Sequence, residues 1–338
     1  MGKKLRVGVI GIGFAWDRLH EPAFAKLKDQ YEIAAICNKT IDKAQGAAQG
    51  LGLAPENVYS DYRELLKRSD LDVVDVLVPI TENYEVAKDV ILAGKNLIAE
   101  KPFASTPEAA RELIQLKNEK GVTVMVAENF RYDECSRILK DIITSGQIGE
   151  VFQVIYNKGA DFEKDMTGDT FAAKEWRQHP GYYGGTFLDG GIHDIALLRY
   201  LFGDVENVYS LGRAQQEEYC PYLAISTMLK FKNNVMCHYS YFSQGAELQT
   251  PPVGFRMFGT CGDVYMQSTE CGIININYKD GRRDTVNFTP AMGYYNELLD
   301  YYNGSVVSTP EKELGDITLI FDILKSIEDG TCKYCTTK

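Results

Sequence analysis

Apolar residues fall along this chain in two rhythms. In the first third, short unbroken runs alternate with stretches whose apolar positions recur every three or four residues. LRVGVIGI from Leu5, EIAAIC from Glu32, VVDVLV from Val73, NLIAE from Asn96 and VTVMVA from Val122 are the unbroken runs. Helical spacing falls between them, near 16–28, 41–51, 61–68, 82–93 and 107–120. Runs without polar alternation suit strands buried on both faces, so the pattern predicts a parallel sheet with helices on either side. Thr106 and Pro107 form a cap and first-turn proline for one helix. Pro22 lies inside the first helical stretch and should kink or break it.

After about residue 127 the rhythm changes. DECSRILKDIITSGQIG reads as a helix ending near Gly146, and a Gly- and Tyr-rich loop follows. Leu188, Ile192, Ile195, Leu198 and Phe202 then predict a helix over 184–203. From 205 to 288 come seven strand-like segments: VENVYSLGRA, YLAISTMLKF, VMCHYSYF, GFRMFG, GDVYMQS, GIININY and RDTVNF. Turns at Asn233-Asn234, Cys261-Gly262-Asp263 and Asp280-Gly281 separate some of them, which predicts a large, mainly antiparallel sheet. Two helices close the chain, the second beginning Thr309-Pro310. The expected organisation is an α/β domain over 1–127 and an α+β domain over 128–338.

Composition narrows the function. The chain has 338 residues, 45% hydrophobic and 25% charged, with a formal net charge of −11. That acidity argues against a nucleic-acid partner, which needs a basic footprint. No apolar run reaches the roughly 18–20 residues of a membrane span. The start, MGKKLRVGVIGIG, lacks the apolar core and cleavage site of a signal peptide, so a cytoplasmic location with reduced cysteines is expected. Cys332 and Cys335 form a lone C-x-x-C with no second ligand pair, and no metal site is expected.

The first strand runs directly into Gly11-Ile12-Gly13-Phe14-Ala15-Trp16. A Gly-x-Gly at a strand–helix turn suits a dinucleotide. The first glycine makes the turn, and the second lets backbone approach the pyrophosphate at the helix N-terminus. Gly11, Gly13, Phe14 and Ala15 are the expected pyrophosphate contacts, although Trp16 stands where a third Gly or Ala is usual. At the end of the second strand, Asn38, Lys39 and Thr40 occupy the place where an acidic residue would bond the 2′-hydroxyl of NAD. The cofactor is therefore expected to be NAD(P), leaning to NADP(H). The first domain thus reads as a Rossmann domain.

In the predicted 184–203 helix, Asp189 and His193 lie four residues apart and share a face. Gly190 and Gly191 sit between them, where each weakens a helix by roughly 1 kcal/mol relative to alanine. The glycines are expected to let the cofactor or substrate approach the backbone.

Several fragments together resemble the glucose–fructose oxidoreductase, inositol dehydrogenase and MocA (Gfo/Idh/MocA) family. They are the glycine turn with His20-Glu21-Pro22, Glu100-Lys101-Pro102, Ala127-Glu128-Asn129-Phe130-Arg131-Tyr132, and Asp189-Gly190-Gly191-Ile192-His193. The resemblance implies hydride transfer between NAD(P) and a sugar, cyclitol or related polyol. It also implies a second-domain sheet that forms a dimer or tetramer. It carries the catalytic roles to Lys101, Asp189 and His193, leaving open whether Lys101 or His193 accepts the proton. Pro79, Ile80, Asn83, Glu100, Lys101 and Asn129 are the implied further cofactor contacts. Trp176 and Arg177 either cover the cofactor or are a packing tryptophan and a surface arginine. Arg131 and Tyr183 are candidates for substrate, whereas His20 and His238 are read as structural.

The chain departs from the family pattern in three places. Pro79-Ile80-Thr81-Glu82-Asn83-Tyr84 replaces a Pro-Asn loop with a later His, Ala196 replaces a second Asp, and the glycine turn to His20 is one residue longer than usual. Two rival functions share the fold: a catalytically silent NAD(P)-responsive regulator, and an NAD-dependent glycosidase acting by transient oxidation.

Overall fold

In the computed structural model, which describes residues 3–244 and 254–335, the chain divides into two units. The first comprises Met1–Asn129 and Tyr294–Leu314, and the second Phe130–Gly293 and Gly315–Lys338. The sequence reading placed one contiguous boundary at 127/128 and did not anticipate the return of residues 294–314. The return has visible ties: the Tyr31 hydroxyl donates to the Leu298 carbonyl at 2.6 Å, and the Val126 N–H to the Ser308 carbonyl at 3.0 Å.

The first unit holds six parallel strands: β1 (Leu5–Ile10), β2 (Tyr31–Cys37), β3 (Val58–Tyr59), β4 (Val73–Val76), β5 (Asn96–Glu100) and β6 (Val124–Ala127). Their order is β3-β2-β1-β4-β5-β6, the doubly wound order whose direction reverses beside β1. Val7, Val9, Val73, Val74, Leu97 and Ile98 have no exposed surface, as expected for strands covered on both faces. The predicted helix Pro107–Lys120 begins where expected, with the Thr106 hydroxyl accepting from the Ala109 N–H at 3.2 Å.

The first helical stretch does not break but turns irregular just before its proline. Trp16–His20 form a π-type turn, and an α-helix starts at Glu21 with Pro22 in its first turn. A π turn holds one more residue than an α turn.

The second unit is built on a nine-stranded sheet of β7 (Val151–Gly159), β8 (Val205–Ala214), β9 (Tyr222–Phe231), β10 (Met236–Phe242), β11 (Phe255–Gly259), β12 (Gly262–Met266), β13 (Ile273–Tyr278), β14 (Arg283–Asn287) and β15 (Lys333–Tyr334). Its order is β14-β13-β12-β11-β7-β10-β9-β8-β15, and apart from the parallel β7–β10 pair its neighbours are antiparallel. The seven strands expected over 205–288 are all present. The central strand β7 and the edge strand β15 are additions. Val235, Cys237 and Tyr239 face the core. On the opposite face, Tyr209, Met228, His238 and Ile155 stand in register across β8, β9, β10 and β7. Tyr209 and Met228 are exposed there.

Candidate active site

The glycine turn has the geometry a dinucleotide requires. Gly11 adopts φ +101°, and a Cβ there would lie 2.5 Å from the Leu77 carbonyl oxygen, so only glycine fits. A Cβ on Gly13 would meet nothing within 4 Å. That open space beside a helix beginning at Phe14 and Ala15 is what an approaching pyrophosphate needs. The Arg18 guanidinium lies over the Phe14 ring, 3.8 Å from its centroid. Asn38 closes the turn from β2, accepting from the Ile12 N–H at 3.0 Å while its amide donates to the Thr40 carbonyl at 3.0 Å. Its side chain is thus engaged with backbone. Lys39 is largely exposed and pairs with Glu82 at 2.7 Å, a carboxylate the sequence reading did not place there.

Lys101 follows β5 and has its backbone held on both sides. The Lys101 N–H donates to Glu100 Oε2 at 3.1 Å. Buried Asn83 donates to the carbonyls of Glu100 at 2.7 Å and Pro102 at 2.9 Å, and the Lys101–Pro102 bond is cis. Asn83 therefore shapes the Glu-Lys-Pro segment. Pro79 precedes the helix Ile80–Leu92 that carries Asn83, and Ile80 is itself buried. Asn129 is 7% exposed, and its Oδ1 is buried without a hydrogen-bond partner, the kind of orphan acceptor that a bound cofactor satisfies.

His20, which the sequence reading left as structural, lies at the centre of this unit's buried charge. It is 1% exposed; Nδ1 meets Asp75 Oδ2 at 3.0 Å and Nε2 meets Glu100 Oε1 at 3.2 Å. Burial opposes its charge, but Asp75 and then Glu100 outweigh that penalty and hold its pKa well above the ordinary imidazole value. Both ring nitrogens then donate. Glu297 is also fully buried, and burial reinforced by Glu100, Glu128 and Asp75 pushes its pKa well above 4.5 despite the opposing pull of His20. The signal for His20 was present in the His20-Glu21-Pro22 fragment; its carboxylate partners lie 55 and 80 residues away.

In the second unit the expected helix is divided. Thr186–Asp189 form one short turn and Gly191–Phe202 the main helix, joined at Gly190. The glycines have a reason within the fold itself. A Cβ on Gly191 would lie 2.7 Å from the Phe187 ring, and one on Gly190 would lie 3.2 Å from the Thr186 carbonyl oxygen. They make room for the protein's own packing.

Asp189 is buried and accepts from Arg177 Nε at 2.5 Å and Nη2 at 3.4 Å. Arg177 stacks over Trp176, with its guanidinium 4.3 Å from the ring centroid. Trp176 and Arg177 thus join Asp189 in one group. His193 is half-buried and stacks on Phe130 at 4.7 Å between centroids. Beside it, fully buried Asp194 accepts from the hydroxyls of Tyr156 at 2.7 Å and Tyr239 at 2.8 Å. Sequence reasoning missed this anchor, and also Tyr182, whose buried hydroxyl has no hydrogen-bond partner.

Two substrate candidates are placed less favourably. Arg131 is 2% exposed and pairs with Asp316 at 2.5 Å, which leaves almost no surface for a ligand. Tyr183 is exposed, donates to Glu328 at 2.5 Å and packs on Phe321. Among the described residues no group of three or more His, Cys, Asp or Glu is set to hold a metal, and no helix is long and apolar enough to cross a membrane.

Residues 5–128 match the model of an oxidoreductase family with an NAD-binding Rossmann fold, GFO/IDH/MocA, and residues 136–265 match that family's C-terminal domain. An uncharacterised Saccharomyces cerevisiae protein is 33% identical over 214 residues, 63% of this chain and 60% of that protein. The NADP+-dependent scyllo-inositol 2-dehydrogenase of Bacillus subtilis is 27% identical over 215 residues, 63% of this chain and 56% of its own length. The aligned stretch thus spans less than two thirds of these relatives. The fold is similar to that of a levoglucosan dehydrogenase solved with NADH and L-sorbose, with a TM-score of 0.86 at 21% identity, covering 99% of this chain and 100% of that one.

Proposed function

The chain belongs to the GFO/IDH/MocA oxidoreductase family, and we propose that it transfers hydride between NAD(P) and a sugar, cyclitol or related polyol. The observation that carries this reading is the Gly11–Gly13 turn, where one glycine is forced by backbone and the other faces open space. Gly11, Gly13, Phe14 and Ala15 would hold the pyrophosphate, Lys39 and Thr40 the adenosine ribose, and Asn129 would offer its orphan acceptor to a hydroxyl or amide of the cofactor. When bound, the nicotinamide supplies the hydride chemistry.

The side chains do the rest. Lys101 hydrogen-bonds the reacting oxygen and favours a developing alkoxide. His193, half-buried and aligned by Phe130, takes the hydroxyl proton. Asp189 fixes Arg177 beside the same helix turn, and Tyr182 has a hydroxyl available for a polyol. NADP(H) is the preferred cofactor, because no carboxylate ends β2 and the Lys39–Glu82 pair is exposed enough to exchange for a phosphate. The exposed face carrying Tyr209, Met228 and Met236 is where copies of the chain self-associate, since monomers rarely leave wide apolar patches open.

The test is a screen of scyllo-inositol, levoglucosan and L-sorbose against NADP(H) and NAD(H), followed by absorbance of the reduced nicotinamide. Net cofactor turnover with any of them supports a dehydrogenase. Cofactor binding without turnover across a wider panel of sugars and cyclitols would point to the regulator. Chain cleavage of a glycoside without net reduction would point to the glycosidase.

A further inference from the structure

We propose that His20 is a positioning residue for this reaction, acting through the Glu100 carboxylate on the backbone of Lys101; this rests on the reading of Lys101 as the group that meets the reacting oxygen. The two oxygens of Glu100 are divided between two tasks. Oε1 meets His20 Nε2 at 3.2 Å, and Oε2 accepts from the Lys101 N–H at 3.1 Å. His20 is fixed in turn by Asp75 at 3.0 Å. Asp75, His20, Glu100 and the Lys101 amide therefore form one hydrogen-bonded chain, anchored at a buried strand residue and ending at the lysine. Asn83 clamps the flanking carbonyls, and His20 restrains the rotation of the Glu100 carboxylate that holds the Lys101 N–H.

Two observations separate this role from simple packing. A buried ion cluster contributes little stability relative to apolar residues of the same volume. Asp75, Glu100 and Glu297 nevertheless surround His20, with the Tyr294 ring 5.8 Å away. In addition, the backbone departs from α geometry at Trp16–His20, and such π turns recur at functional sites. The irregular turn ends at the one imidazole that reaches Glu100.

A pair of isosteres tests the idea. His20→Asn keeps a donor near the Nδ1 position, toward Asp75, whereas His20→Gln keeps one near Nε2, toward Glu100. In His20→Asn, kcat should fall about 10- to 100-fold, the scale of an ångström-sized misplacement. KM for the polyol and Kd for NADPH should stay within about twofold of wild type. His20→Gln should recover most of the turnover at a similar Tm. Equal losses in the two variants, or a loss confined to KM or Tm, would overturn the proposal. A substrate-free arm follows hydrogen exchange at the Lys101 amide, which should quicken about tenfold in His20→Asn and less in His20→Gln. Unchanged exchange would overturn the proposal as well. A wild type that turns over no polyol while this exchange pattern holds would break the functional reading and leave the role of His20 standing.

Discussion

His20 and His193 carry the same imidazole in opposite settings. His20 is buried between two carboxylates, each within 3.2 Å, and is held as a cation. His193 is half-buried, lies against an aromatic face and sits in the first turn of a helix beside Asp194. Burial with fixed partners makes a charge that holds geometry, because exchanging its proton would leave carboxylates unpaired. Partial exposure leaves the second ring open to a ligand. The first unit thus carries an imidazole locked in buried charge, and the second one that is half-buried against a ring.

The sharpest way to break this contrast is His193→Ala. If His193 is the proton acceptor, kcat should fall about 10²–10⁴-fold while NADPH affinity and Tm change little. A folded variant with full turnover would leave Lys101 as the acceptor. Asp189→Asn should cost less, and turnover of the two variants on one preparation of substrate checks the order.

Arg131→Met probes the same contrast within the second unit. Its guanidinium is buried on Asp316, which Arg199 also bonds at 2.5 Å. Removing one partner of a buried pair should cost about 3 kcal/mol, a Tm fall of about 6–12 °C for a unit of this size. KM for the polyol should be unchanged. A raised KM at an intact Tm would restore Arg131 as a substrate residue.

Lys39 is the exposed counter-case. Lys39→Ala should weaken NADPH binding about tenfold and NADH binding hardly at all, by fluorescence titration. Equal or tighter binding of NADH by the wild type would overturn the NADP preference. Glu82 already engages Lys39, so Glu82→Gln should move NADPH affinity in the opposite direction by a smaller factor.

How much of this was legible depends on whether a residue's partners are close in sequence. β1, β2, β4 and β5 announced themselves as unbroken apolar runs, and Thr106-Pro107 marked its helix start, because both signals are local. β7 was missed although Val151, Val154 and Tyr156 point to the core, since Phe152 and Ile155 blur its alternation and its partners lie about 80 to 110 residues on. Lys101, Asp189 and His193 were singled out through their motifs. Asp75, Glu100 and Glu297 around His20 were not, because nothing along the chain says that four ionisable groups will be brought together. The Gly191 contact with Phe187 is only four residues long, yet it depends on the bend at Gly190, which periodicity hides.

The smallest expected effect tests whether the His20 cluster carries an electrostatic strain. Glu297 has no exposed surface, and neither carboxylate oxygen has a hydrogen-bond partner. Burial first, and then Glu100, Glu128 and Asp75, raise its pKa well above 4.5, with His20 opposing. A carboxyl whose folded pKa is raised favours the native state while protonated. That contribution is fully present below its unfolded pKa near 4.5 and is lost as pH rises through the folded value. His20 has the same sign, since its raised pKa supports the fold below the ordinary imidazole value and ceases to as pH climbs through the folded one. Glu297→Gln removes the ionisable group while keeping its shape. The Tm of the variant should therefore match wild type at about pH 5 and exceed it by about 2–4 °C at about pH 9, the equivalent of about 1 kcal/mol. Turnover should be retained, because Glu297 bonds neither Glu100 nor Lys101. A Tm difference that is flat across this range, or that shrinks with rising pH, would mean that Glu297 carries no such strain and that the carboxylates around His20 are compensated in another way.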